Sequence, residues 1–192
     1  RTRAWVSYVL SCQNNWHNQV MLWTMPLITQ GLYPGLGIVG NSLVLASGGA
    51  AGLLAALATP RVFRGVPDRW AILLSQALMG SVLVPYALLY GFEVRRGLPL
   101  GLLVGLFAAY NVPFLLQMPA NNAIYTKLIG DKHKGVYMAL LEMSKAVGRV
   151  VSGYLVGVAY ARFGAPMLWS LTLGIWAFQF IPYLWNWGRL AV

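Results

Sequence analysis

Apolar runs of about twenty residues, the length that crosses a bilayer as a helix, recur along the chain, separated by short segments carrying Gly, Pro, Lys or Arg. The pattern predicts six spans, at about 4–26, 35–59, 70–91, 98–118, 135–160 and 166–187. Within the runs, apolar positions are nearly continuous rather than alternating, which excludes a membrane barrel. A backbone in hydrocarbon must then satisfy itself as helix. The first run differs from the others. Its middle, Gln13-Asn14-Asn15-Trp16-His17-Asn18-Gln19, is too polar for lipid. Inside a membrane it must face protein or water; otherwise it is a surface loop and five spans remain.

Charge orders the connectors. With six spans, the N-terminus, the loop from Arg61 to Arg69, the loop from Lys127 to Lys134 and the C-terminal tail share one side. They hold nine basic residues: Arg1, Arg3, Arg61, Arg64, Arg69, Lys127, Lys132, Lys134 and Arg189. The other side holds three, Arg95, Arg96 and Arg162. Short cytoplasmic loops collect Lys and Arg, so both termini are expected in the cytoplasm. Trp5, Tyr8, Trp70, Tyr90, Trp169, Tyr183, Trp185 and Trp187 fall near span ends, where amphipathic rings anchor at the headgroups. Glycines four apart, at Gly31/Gly35, Gly48/Gly52, Gly101/Gly105 and Gly153/Gly157, are expected at close helix contacts.

Composition agrees. Of 192 residues, 58% are hydrophobic and 9% charged, against about 25% charged in a soluble domain. A net charge of +10 spread over short connectors is a topology signal and not a nucleic-acid face. The single Cys12 permits no internal disulfide. The chain begins Arg1-Thr2-Arg3 without Met or a signal-peptide pattern, and is expected to be one six-helix domain, residues 1–192, cut from a longer protein.

Candidate chemistry is concentrated in the fifth span. Glu142, Lys145 and Arg149 lie within about 60° of one another on a helix, and a charge at bilayer depth costs several kcal/mol unless paired or hydrated. One reading gives Lys145 and Arg149 an anionic solute group to bind, with Glu142 balancing charge or carrying a coupling proton. The other makes Glu142 and Lys145 an i,i+3 ion pair and lets Arg149 satisfy carbonyls at a helix contact. A second group comes from the first span, where Gln13, Asn14, His17 and Asn18 fall at helical spacing. Asn41, Asn111 and Gln117 in other spans complete a possible polar lining, or act singly as interhelical glue. No catalytic set, metal-ligand cluster or cofactor motif emerges, so no enzyme is expected.

The stretch from Asn122 to Met138, followed by Leu140 to Arg149, resembles the region from helix ten to helix eleven of major facilitator superfamily transporters. The lysosomal ceroid-lipofuscinosis-type and vacuolar SPX-bearing members are the most similar. Thr126-Lys127 matches the pair ending helix ten, Gly135-Val136-Tyr137 the Gly-x-Tyr after a basic loop, and Arg149 an arginine about fourteen residues later. The loop from Arg61 to Arg69 is similar to a degenerate copy of the basic loop between helices eight and nine. The chain departs from the pattern in lacking an acid in its first span and in carrying Lys145 where small residues are commoner.

The resemblance implies an all-α integral membrane domain, the C-terminal six-helix half of a twelve-helix secondary transporter. The first and fourth spans would then line a central cavity, and the second and fifth would meet the N-terminal half. It further implies alternating-access transport of a small solute, taken as anionic, in a lysosomal, vacuolar or plasma membrane. The expected partners are the bilayer, the N-terminal half and the solute. Two rival functions are an assembly subunit of a larger membrane complex and a passive channel.

Overall fold

The structure is a computed structural model that describes residues 4–92, 98–130 and 133–190. Arg1, Arg3, Arg95, Arg96 and Lys132, and the side chain of Arg189, lie outside the described residues. The described residues form five long α-helices and no strand: α1 (Ala4–Leu32), α2 (Gly37–Val62), α3 (Asp68–Tyr86), α4 (Leu100–Ile129) and α5 (Lys134–Trp185). A π-helical turn, Ala87–Phe92, extends α3.

Six separate helices are therefore not seen. The last two expected spans are one 52-residue helix, bent at Gly164, whose φ of 76° and ψ of −177° are not helical. Positive φ is cheap only for glycine, and Pro166 two residues on cannot donate to the preceding turn, so Gly164-Ala165-Pro166 redirects the chain without a loop. Two arms result, residues 134–163 and 165–185. The fourth span also runs farther than expected, through Pro119 to Ile129. The added turns pack against α1: Tyr8 and Tyr125 share a 2.6 Å hydrogen bond, and Asn121 reaches Ser11 at 2.8 Å.

Residue pairs define the arrangement. Gly148 of α5 lies against the Cys12 backbone of α1, and Gly153 lies near Trp23 farther along, so α1 and the first arm of α5 run parallel. Gly48 and Gly52 of α2 lie against Asn111 and Leu115 of α4, another parallel pair. Helices α1 and α4 are antiparallel, as the contacts of Tyr8 with Tyr125 and of Asn14 with Phe114 require. Helix α3 runs antiparallel to the second arm of α5, with Tyr86 on Trp169 at one end, Gln76 on Gln179 midway and Trp70 on Trp187 at the other end. The unit α1–α2–α3 is thus repeated, inverted, by α4 and the two arms of α5. The packing of α1 on α5 has its counterpart in α4 on α2.

Small residues serve this packing selectively. Of the four glycine pairs, Gly48/Gly52 sits at a close contact; added Cβ atoms at Gly31, Gly35, Gly101, Gly105 and Gly157 would meet nothing within 4 Å. The tightest backbone approach falls instead at Gly148, where a Cβ would stand 2.2 Å from the Cys12 carbonyl oxygen. The aromatic belt is likewise only partly a belt. Trp5, Trp70 and Trp185 are exposed, whereas Tyr90, Trp169 and Tyr183 are buried in the bundle.

Four helical segments, Pro34–Val62, Asp68–Tyr90, Leu100–Ile129 and Lys134–Trp185, are long and apolar enough to cross a membrane. Helix α2 turns Ile38, Val39, Leu43, Leu53, Leu54 and Leu57 outward, an extent of apolar surface compatible with a hydrocarbon surrounding. Helix α1 is not among the four. Its polar segment is nevertheless no surface loop: Asn14, Asn15, Trp16 and His17 are buried inside the helical bundle.

Candidate functional site

The polar segment of α1 meets polar turns of α4 and α5. Helical spacing places Ser11, Asn14 and Asn15 toward Gln117 and Asn121 of α4 and Lys145 of α5, around a cavity of about 10 Å³. That is the lower limit of room for one water molecule. Asn121 Nδ2 donates to the Ser7 carbonyl at 3.2 Å and to Ser11 Oγ at 2.8 Å. Asn15 Nδ2 donates to the Ser11 carbonyl at 2.9 Å, and Asn14 Nδ2 reaches the Phe114 carbonyl at 3.5 Å.

The bonds leave much unspent. Asn14 Oδ1, Asn121 Oδ1, both nitrogens of His17 and both amide atoms of Gln117 are buried without a hydrogen-bond partner. A buried polar atom left so costs about 1–3 kcal/mol, and native bundles tolerate few of them. Their collection along one seam is a demand for a polar guest that water or a solute can meet.

The cation is held at the edge of this cluster. Lys145 Nζ donates to Glu142 Oε1 at 2.6 Å and approaches Asn122 Oδ1 at 3.5 Å. Its side chain is 8% exposed, against 59% for Glu142. The charged stripe does not face one place. Lys145 points into the bundle, while Glu142 and Arg149 lie on the outside, because an arc of about 60° on a helix at the bundle margin is wide enough to reach from interior to surface. The i,i+3 ion pair is present, and Lys145 still presents its charge to the amides.

The other expected residues are divided. Asn14, Gln117 and Lys145 come together; His17 lies one turn farther along α1 and is fully buried, and Asn18 is half-buried beside it in sequence. Asn41 sits at the start of α2 near Gln30 and Tyr33, away from the cluster. Asn111 packs against Gly48 and donates to the Phe107 carbonyl of its own helix at 2.8 Å. Both belong to other contacts. Sequence reasoning missed Ser11, Asn15, Asn121 and Asn122. The Asn121-Asn122 pair follows Gln117 at helical spacing, a signal hidden by ending the fourth span at residue 118.

At one end the cluster is closed by tyrosines. Tyr125 bonds Tyr8 and donates to the Tyr137 carbonyl at 2.5 Å, tying α4 to α1 and to the start of α5. Beyond it, Lys127 of α4 pairs with Asp68 of α3 at 2.7 Å. Among the described residues no group of three His, Cys, Asp or Glu side chains could hold a metal ion. The arrangement offers one cation and several neutral donors and acceptors in a low-dielectric seam, a combination that attracts an anionic group and orients it by hydrogen bonds.

No known protein family, curated protein or solved structure matches the chain.

Proposed function

We propose that the chain is the C-terminal half of a major-facilitator-type secondary transporter, inserted in the membrane with both ends cytoplasmic, that moves a small anionic solute by alternating access. The observation that carries this reading is Lys145, a buried cation facing unpartnered amides of α1 and α4. An intramembrane ionisable group of this kind is by default functional. The inverted repetition of three helical units supports it, since transporters of this type place their solute at the junction of such repeats. In this reading Lys145 attracts the anion, Asn14, Gln117 and Asn121 orient it, His17 supplies a titratable group, and Glu142 neutralises Lys145 when no solute is bound. The outward apolar face of α5, with Val136, Leu140, Met143, Val147 and Val150 exposed, is where the N-terminal half docks.

The test is solute uptake into proteoliposomes by the protein in its natural full length. Saturable uptake of a small anion, lost in Lys145→Met with normal membrane insertion, is expected. Wild-type rates in that variant would remove the reading. The same apolar face of α5 favours, as second reading, a subunit that assembles within a larger membrane complex. That reading gains if no anion is taken up and a stable complex with other membrane chains is recovered. Flux that never saturates would instead indicate a channel.

A further inference from the structure

The outward face of the first arm of α5 carries one charge that the bundle does not use. Arg149 is exposed there, and so are Met143, Val147, Val150 and Tyr154 around it. It stands midway between Lys134, where α5 starts, and the bend at Gly164, about 22 Å along the helix from either end. In a segment long and apolar enough to cross a membrane, that is close to the middle of a hydrocarbon layer about 30 Å thick. Arginine reaches the headgroups by snorkelling only from near a helix end. This guanidinium must therefore find its acceptors sideways.

The chain has few carboxylates to offer it. The sequence holds Asp68, Glu93, Asp131 and Glu142. Glu142 accepts from Lys145 at 2.6 Å and Asp68 from Lys127 at 2.7 Å, while Glu93 and Asp131 lie outside the described residues. Glu142 is also two turns from Arg149, about 10 Å along the axis. Among the described residues Arg149 makes no ion pair. Lys145, one turn away, is a like charge at a spacing where like charges repel. The face is left with an uncompensated positive charge at bilayer depth, which hydrocarbon penalises heavily.

Shape points the same way. Gly153 follows Arg149 at i+4 and Gly157 at i+8, and an added Cβ at Gly157 would meet nothing within 4 Å. With Trp23 and Leu27 of α1 these glycines border an open groove of about 600 Å³. Glycines four apart let a second helix approach closely, so a helix laid along this flank has room to seat and runs beside the guanidinium. Its backbone carbonyls are committed to its own turns and neutralise nothing. A carboxylate side chain both cancels the charge and accepts two parallel N–H bonds from the planar guanidinium.

We propose that the N-terminal half carries an Asp or Glu at mid-membrane depth, on the helix seated along the first arm of α5, and that this carboxylate pairs with Arg149. The inference rests on the docking of that half, and not on the identity of the solute. The exposed apolar side chains supply area on this face. The single charge pair fixes which turn of one helix meets which turn of the other.

Zero-length cross-linking of the full-length protein in its membrane tests this. In Arg149→Lys, dicyclohexylcarbodiimide, which enters the bilayer, condenses the introduced ammonium with a carboxylate in contact, and mass spectrometry identifies the joined peptides. Position 149 is expected to be joined to an Asp or Glu outside residues 1–192. Neutralising that acid should lower the melting temperature by a few degrees, and adding Arg149→Met should restore most of the loss, because removing both partners is nearly neutral. No cross-link, a cross-link to Glu142 of the same or a second copy, or no rescue in the double variant overturns the proposal. A cross-link without anion uptake upholds this pair and removes the transport reading; uptake without a cross-link does the reverse. If Arg149→Lys is not recovered in the membrane, phenylglyoxal labelling of the unaltered protein decides. Arg149 is then expected to stay unlabelled while the exposed Arg61 and Arg64 react, and equal labelling overturns the pair.

Discussion

Two seams of the bundle bury amide side chains, and they use them differently. Between α3 and the second arm of α5, Gln179 donates to Gln76, Trp176 Nε1 donates to the Gln76 carbonyl at 3.2 Å, and Tyr183 donates to the Arg69 carbonyl. Both glutamines, Trp176 and Tyr183 are each engaged once across the contact, although Gln76 Nε2 and Gln179 Oε1 keep no partner. Between α1, α4 and α5, Gln117 and His17 are engaged by nothing, and the Lys145 ammonium shares a cavity with Gln117. Burial of a polar residue among apolar helices is thus no mark of a site by itself. The mark is polarity that neighbouring helices do not consume.

The strongest way to break this comparison is to remove function from one seam alone. Lys145→Met should lower anion uptake about 100-fold, the scale of truncating a buried charge partner, and Gln179→Leu should leave uptake unchanged; similar losses in both would erase the distinction. Stability should also separate the seams. Gly148→Ala forces a methyl group onto backbone at Cys12 and is expected to cost about 3 kcal/mol. Gly80→Ala meets only the Trp176 ring, which can shift, and should cost less in the same denaturation series. A reversed order would mean that the α1–α5 contact is softer than its geometry.

Smaller effects sharpen the contrast. Gln179→Leu alone should cost about 1–2 kcal/mol by stranding Gln76, and the pair Gln76→Leu with Gln179→Leu should recover most of it, because removing both partners is nearly neutral. A double-mutant cycle without coupling would show that the two glutamines do not hold the seam together. The smallest change belongs to the solvent side: Asp68→Asn, which breaks a partly exposed pair with Lys127, should cost less than about 1 kcal/mol and lose even that at high salt.

Much of the architecture was legible in hydrophobic run length. The helical class and the long apolar segments follow directly from it, and so does the exceptional character of α1, whose Asn14 and His17 could not face lipid. What run length cannot show is azimuth at the bundle margin. Glu142, Lys145 and Arg149 share an arc, yet the boundary between interior and exterior cuts through that arc. Nor does it show where a helix outlasts the hydrocarbon: α4 continues to Ile129 because Asn121 and Tyr125 find partners on α1, a tertiary reason invisible in local pattern. Glycine spacing misled for the same cause. Gly48 and Gly52 meet a neighbour while Gly101 and Gly105 do not, although the motif is the same.

The bend at Gly164 has a mechanical side. The two arms of α5 meet at one residue's dihedral angles, with no loop between them. The joint makes the first arm, which carries Lys145, a lever against the second, which carries Gln179, pivoting on a residue whose missing Cβ leaves its dihedral angles free. Reporter sequences or affinity tags inserted at this joint would uncouple that lever, whereas the turn between α2 and α3 would absorb them.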